Sequence, residues 1–148
     1  MQIHHFSVPV CCLLPEERCA ADAPEDPKTL YMDNGCLLLP DSYTQNGAKT
    51  RLVISCHGAG GTVTTDDAQV IGQTLTRYLL ANGYAVMDVN GLPEECAKEQ
   101  GIVLRNNVGS PIALRAYVKA YHYCMAHFNL YPDVFVHGGS MGGISSTN

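Results

Sequence analysis

Apolar and polar positions along the chain fall into blocks that switch between a two-residue and a helical period. The first stretch, about Ile3 to Leu14, and "KTLYMDNGCLLLP" both predict strands, with the acidic, proline-containing "AADAPEDPK" as the loop between them. "DSYTQNGAKT" is a polar turn region, and "RLVISCHGAGG" is a strand that ends in glycines. The next segment, "TTDDAQVIGQTLTRYLLANGY", predicts a helix. Its Ile71, Leu75, Tyr78 and Leu79 stack on one face, Thr65 or Asp66 can cap its start, and Gly83 suits its stop. "YAVMDVNG" follows as a buried strand, and "EECAKEQGIVLRNNVG" reads as loop.

"SPIALRAYVKAYHYCMAHFNL" is the second predicted helix, with Ser110 as cap and Pro111 as first helical residue. The Tyr117, Tyr121, Cys124 and Phe128 stripe on it reads as core packing. Last comes "DVFVHGG", a buried strand, after which Ser140 opens another helix. The alternation of strand and helix predicts an α/β fold, a mostly parallel sheet covered by helices, in one domain spanning residues 1–148.

Composition narrows the classes. Of the 148 residues 46% are hydrophobic and only 16% charged, which suits a compact enzyme core. A net charge of −5 without any Lys/Arg run argues against a nucleic-acid partner, because the phosphate backbone rewards clustered positive charge. No apolar run approaches the roughly 18 to 20 residues needed to cross a bilayer, so no membrane partner is expected. The N-terminus lacks the basic start and small-residue cleavage site of a signal peptide. Seven cysteines occur without a CxxC pair, several inside apolar runs. That pattern predicts buried, reduced thiols and a reducing, cytoplasmic location. Cys124 and His127 share a helix face but lack a third partner at metal-ligand spacing, so neither a metal nor another cofactor is expected.

Two glycine-crowded turns carry the candidate chemistry. In "VFVHGGSMGG", Gly138-Gly139-Ser140-Met141-Gly142 follows an apolar strand and precedes a helix. This is the GxSxG elbow pattern in the context it requires. A serine presented as a nucleophile sits at the apex of a tight, strained turn; Gly138 and Gly142 would leave room where strand and helix nearly collide. The second turn is "HGAGG", His57 to Gly61. Acyl transfer through a serine builds negative charge on the substrate oxygen, which preorganised donors must hold. The N–H of Met141 can supply one donor, and Ala59 or Gly60 the other. His57 precedes the glycines, where its ring would brace the loop and not act as the base.

These two motifs, separated by helix, strand and helix, resemble the α/β-hydrolase superfamily from about Tyr31 to Gly143. The stretch "LLLPDSYTQNGAKTRLVISCHGAGG" is similar to the opening of esterases of the feruloyl-esterase and polyhydroxyalkanoate-depolymerase kind, and to prolyl-oligopeptidase catalytic domains. The resemblance implies a serine hydrolase acting on a small ester or peptide-like substrate. It makes Ser140 the nucleophile, and Met141 with the Ala59–Gly60 turn the oxyanion hole.

One departure from the pattern stands out. The superfamily's triad runs Ser, then Asp or Glu, then His along the chain. After Ser140 only "MGGISSTN" remains, without acid or histidine; His4, His5, His57, His122, His127 and His137 all precede it. Neither Asp88 nor Asp133 occupies the position of the family's acid, and His137 sits on the strand rather than opposite the serine. The expectation is therefore the N-terminal part of a hydrolase domain, cut after the elbow and inactive alone, with an apolar sheet edge standing open.

That edge also suits a different class, a non-catalytic module that self-associates through it. A dinucleotide-binding reading, with Asp88 as the ribose acid, would need glycine at position 63, which is Val63.

Overall fold

The computed structural model describes residues 1–13, 27–103 and 109–147. Most of the "AADAPEDPK" loop, part of the "GIVLRNN" segment and Cys19 lie outside them. The elements are β1 (Gln2–Cys11), β2 (Leu30–Leu39), β3 (Thr50–Cys56), α1 (Thr74–Ala81), β4 (Tyr84–Val89), α2 (Glu94–Gln100), α3 (Pro111–His127), β5 (Leu130–Gly138) and α4 (Gly142–Thr147).

One five-stranded sheet has the order β1-β2-β4-β3-β5. The β4–β3 and β3–β5 pairings are parallel, and the β1–β2 and β2–β4 pairings antiparallel. Only β2 therefore runs against the other strands. The mostly parallel sheet holds for strand direction, while half of its pairings are antiparallel.

Strand alternation distributes the core to both faces. Leu37 and Leu39 point to one side with Leu52, Met87 and Val89, where α3 covers them with Ile112, Ala116, Ala120 and Cys124. Cys36, Leu38 and Val86 point to the other, under Val63, Ala68 and Val70. Covering both faces is why β2 reads as an unbroken apolar run, Cys36 to Leu39, in place of an alternating one. Among the described cysteines, Cys11, Cys12, Cys36, Cys56, Cys96 and Cys124 are free and buried. Among the described residues no helix is long and apolar enough to cross a membrane.

Helix α3 starts as expected: Ser110 Oγ accepts the Ala113 N–H at 3.2 Å, and Pro111 takes the first helical position. Tyr117 and Cys124 of the predicted stripe are buried, with Tyr121 and Phe128 packed against the same core. Three other expectations are corrected.

The first predicted helix is much shorter than its periodicity suggested. Thr64 accepts the Asp67 N–H through Oγ1 at 3.0 Å, and Val63 bridges Ala68, so Thr65 and Asp66 lie in a tight local turn and cap nothing. Polar side chains that bond nearby backbone compete with helix in this way. A 3-10 turn over Gln69–Gly72 intervenes, and α1 begins only after Gln73. Ile71 and Leu79 pack inward, but Leu75 and Tyr78 are exposed. Gly83, at φ 81°, does end the segment as expected.

Second, the loop reading at "EECAKEQ" missed α2. That helix buries only Cys96 and Ala97, too few apolar positions to show a period; Glu94 and Glu95 favour its first turn, and Gly101 closes it at φ 66°. Third, β5 begins earlier than expected and is not the buried strand its hydropathy suggests, whereas the open apolar edge expected there is present. The strand is a sheet edge from which Tyr131, Phe135 and Val136 stand 40%, 52% and 48% exposed.

Candidate active site

Strands β3, β4 and β5 run parallel, so their C-terminal ends lie side by side. In parallel sheets this end is where turns are free to present chemistry. The turn after β3 is "HGAGG" and the turn after β5 is "GGSMG".

Ser140 sits at φ 55°, the one non-glycine residue with positive φ among those described, and its side chain is exposed. A serine in the left-handed region is strained by about 1–3 kcal/mol, and the surroundings must hold it there. The glycines show how. A Cβ built on Gly138 would lie 2.1 Å from Gly142 O, and one on Gly142 only 2.0 Å from Cys56 O and 2.7 Å from His57 O. Strand β5, the start of α4 and the end of β3 are thus in backbone contact. The elbow tightens through the Gly142 N–H to Gly139 O bond at 2.9 Å and the Gly143 N–H to Ser140 O bond at 3.1 Å.

The two turns meet. A Cβ on Gly58 would fall 3.3 Å from Gly139 O, 3.5 Å from Ser140 Cβ and 4.0 Å from Ser140 Oγ. Gly61 donates its N–H back to Gly58 O at 3.1 Å and Gly60 adopts φ 81°, which closes the first turn. Among the described residues, the N–H groups of Ala59, Gly60 and Met141 are not spent on such turn bonds, whereas those of Gly61 and Gly142 are.

Beneath the first turn lies a buried polar cluster. His57 Nδ1 stands 3.1 Å from both carboxylate oxygens of Asp88, with the two side chains 9% and 1% exposed. Asp88 Oδ1 also accepts from the Tyr117 hydroxyl at 2.9 Å and from the Val89 N–H at 2.8 Å. Burial pulls the imidazole pKa down, but the hydrogen bond and charge of Asp88 outweigh it and hold the ring above its ordinary value. Asp33 lies nearby, its Oδ2 accepting the Gly91 N–H at 2.8 Å and its buried Oδ1 without a partner among the described residues. Burial pushes that carboxyl up to about 7.

The sequence pattern points to both glycine turns and a bracing part for His57, but not to Asp88 as its partner or to Tyr117 as the donor to Asp88. A lone charged residue inside the apolar run "YAVMDV" was the available signal, since a buried acid demands donors. With Asp88 fully buried and occupied in this way, it cannot reach a ribose. Other histidines are engaged elsewhere: His127 Nδ1 bonds Tyr123 O at 2.8 Å, and His137 lines a pocket with Val53, Leu75, Leu79, Tyr84 and Phe135. Among the described residues no group of three or more His, Cys, Asp or Glu side chains could hold a metal ion.

Strand order and layered architecture define the class: the chain has the α/β-hydrolase fold, seen in its five-stranded part. Among solved structures it is similar to a thermostable esterase, with TM-score 0.54 and 23% identity over 82% of this chain and 34% of that one. An acylaminoacyl peptidase from Pyrococcus horikoshii superposes with TM-score 0.62 and 13% identity over 98% of this chain and 20% of that one. An S-formylglutathione hydrolase from Staphylococcus aureus gives TM-score 0.55 and 16% identity over 96% of this chain and 50% of that one. The chain thus spans between a fifth and a half of the length of these proteins. It matches no protein-family model and none of the curated proteins.

Proposed function

We propose that the chain is the nucleophile-bearing part of a serine hydrolase of the ester and acyl-transfer class. The observation that carries this reading is the strained, exposed Ser140 at φ 55°, wedged between glycines that admit no side chain and facing the turn at Gly58. In the proposed reaction Ser140 Oγ attacks the carbonyl carbon of an ester or peptide-like substrate, and the carbonyl oxygen takes up the electron pair. The N–H of Met141, with that of Ala59 or Gly60, donates to this oxyanion. Collapse breaks the bond to the leaving group and leaves an acyl-enzyme, which water then cleaves at the acyl–Oγ bond. The Oγ proton must pass to a base that also protonates the leaving group. On this reading neither that base nor its acid partner is among these 148 residues.

Hydrolysis of p-nitrophenyl esters tests the reading. The chain should turn them over no faster than its Ser140→Ala variant. A clear Ser140-dependent rate would mean that a base lies within this chain or is lent by a second copy.

A second reading, a non-catalytic module that self-associates, draws on the exposed edge strand β5, where Phe135 and Val136 stand open to solvent. Sedimentation separates the two: a tight symmetric dimer favours the assembly module, a monomer the hydrolase piece.

A further inference from the structure

His57 touches three parts of the candidate site at once. Its carbonyl packs against the elbow, since a Cβ on Gly142 would fall 2.7 Å from His57 O. Its ring lies under the turn that follows it: a Cβ on Gly61 would stand 2.6 Å from His57 Cβ and 2.7 Å from Cδ2. Its Nδ1 is held at 3.1 Å by Asp88 at the end of the neighbouring strand β4. Any movement of the ring must therefore carry the 58–61 turn with it, because close-packed groups cannot slide independently.

We propose that His57 and Asp88 form a proton-dependent latch that sets the position of the Gly58–Gly61 turn, making both positioning residues for the oxyanion hole. The proposal rests on the reading of that turn as donor of the hole. With the ring protonated, Nδ1–H and the Asp88 carboxylate are an ion pair as well as a hydrogen bond, in surroundings that exclude water. Loss of the ring proton removes the charge and weakens the pull toward β4.

The groups facing the pair come from every element packed on it. Asp33 of β2, whose carboxyl burial pushes up to about 7, favours the protonated ring only once it is itself ionised. Tyr117 of α3 donates to Asp88 and competes with His57 for the carboxylate, while Cys56 of β3 sits against Tyr117 and is not ionised there. A histidine held above its ordinary pKa by a partner contributes stability below its unfolded value, and this is lost as pH rises through the folded value. The latch is thus closed where the ring is protonated and Asp88 ionised, and it is released as pH rises through the ring's folded pKa. Burial also pushes the Asp88 carboxyl up, so acid that protonates Asp88 opens the latch from the other side.

The full 148-residue chain can be followed by NMR, recording the His57 ring carbon-bound protons and the amides of Ala59 and Gly60 across the titration of the ring. The expected result is one shared midpoint for ring and amides. In Asp88→Asn the midpoint should fall by at least about one pH unit, since a nearby opposite charge shifts a pKa by about one to three units. Tyr117→Phe, a milder change that covers the case in which Asp88→Asn fails to fold, frees the carboxylate from a competing donor and should raise the midpoint. The opposite shifts identify the groups that set the ring's proton, and the amides of Ala59 and Gly60 following each shifted midpoint is what a merely structural role would not give.

A ring that titrates without moving the Ala59 and Gly60 amides overturns the proposal, and so does a ring that never titrates before unfolding. A midpoint indifferent to both substitutions does the same. Capture of Ser140 by a fluorophosphonate, with imidazole as external base, keeps the two claims apart. A shared midpoint with Ser140 uncaptured would retain the latch as control of the turn but overturn its part in an oxyanion hole.

Discussion

The two glycine turns at the end of the sheet are held in place by opposite means. The elbow at 138–142 is fixed by backbone against backbone: at Gly138 and Gly142 a single added carbon would sit 2.1 and 2.0 Å from main-chain oxygens. In the 57–61 turn, Gly60 has open space around it, and the anchor is a side chain, His57, tied to a buried carboxylate. The elbow is insensitive to pH and intolerant of volume. Its neighbour has room at Gly60, where φ 81° and not volume opposes a side chain, and on the proposed reading depends on protons. Placing Ser140 against Gly58 therefore joins a rigid half to a tunable half.

The largest effect should come from crowding the rigid half. Gly142→Ala forces Cβ into the Cys56 carbonyl, which cannot step aside without moving β3, and should cost about 3 kcal/mol or more in chemical denaturation. Gly139→Ala, with nothing within 4 Å of its Cβ position, should stay within about 1 kcal/mol of the parent chain. Equal losses from both would erase the distinction drawn for the elbow.

The next effect tests the proton-dependent half. Asp33 is an acid whose folded pKa is raised from 3.8 to about 7 by burial. Between those values the folded chain holds a proton that the unfolded chain has lost, so stability falls as pH rises through this window and levels off above it. Asp33→Asn keeps an oxygen for the Gly91 N–H and should flatten that slope, gaining on the order of 2 kcal/mol at neutral pH. Denaturant midpoints measured across the window check this. An unchanged slope would mean that the carboxyl is solvated in solution.

A smaller effect is expected at the apex itself. Ser140→Gly relieves a φ of 55° and should raise stability by about 0.5–1 kcal/mol, a sign opposite to that of most glycine substitutions. A loss of stability there would argue for a relaxed turn under the serine.

Much of this architecture is local and was legible for that reason. Apolar runs ending in glycine mark β3 and β5, and the Ser110–Pro111 pair marks the start of α3. What failed to show was the part that depends on tertiary partners. His57 and Asp88 are 31 positions apart, and Tyr117 lies a further 29 from Asp88; only the parallel β3–β4 pairing and the packing of α3 bring them together. In α2 the two buried positions are too few to set a period, and in α1 the stripe was cut short by a turn whose bonds are made by Thr64 and Asp67. The Val134–Val136 run looks buried by hydropathy, and only the absence of sequence for a flanking strand pointed to the open edge on which it lies.

The central claim is that residue 140 presents an oxygen nucleophile beside waiting amide donors. Treating the chain with a fluorophosphonate in imidazole buffer and mapping the adduct by peptide mass spectrometry tests it most directly, because Ser7 and Ser42 are also exposed and serve as internal controls. The account predicts that the phosphonyl group is found on Ser140 well ahead of either control, with fluoride released and the hydroxyl proton passed to imidazole. Labelling of Ser140 no faster than Ser42 would contradict it.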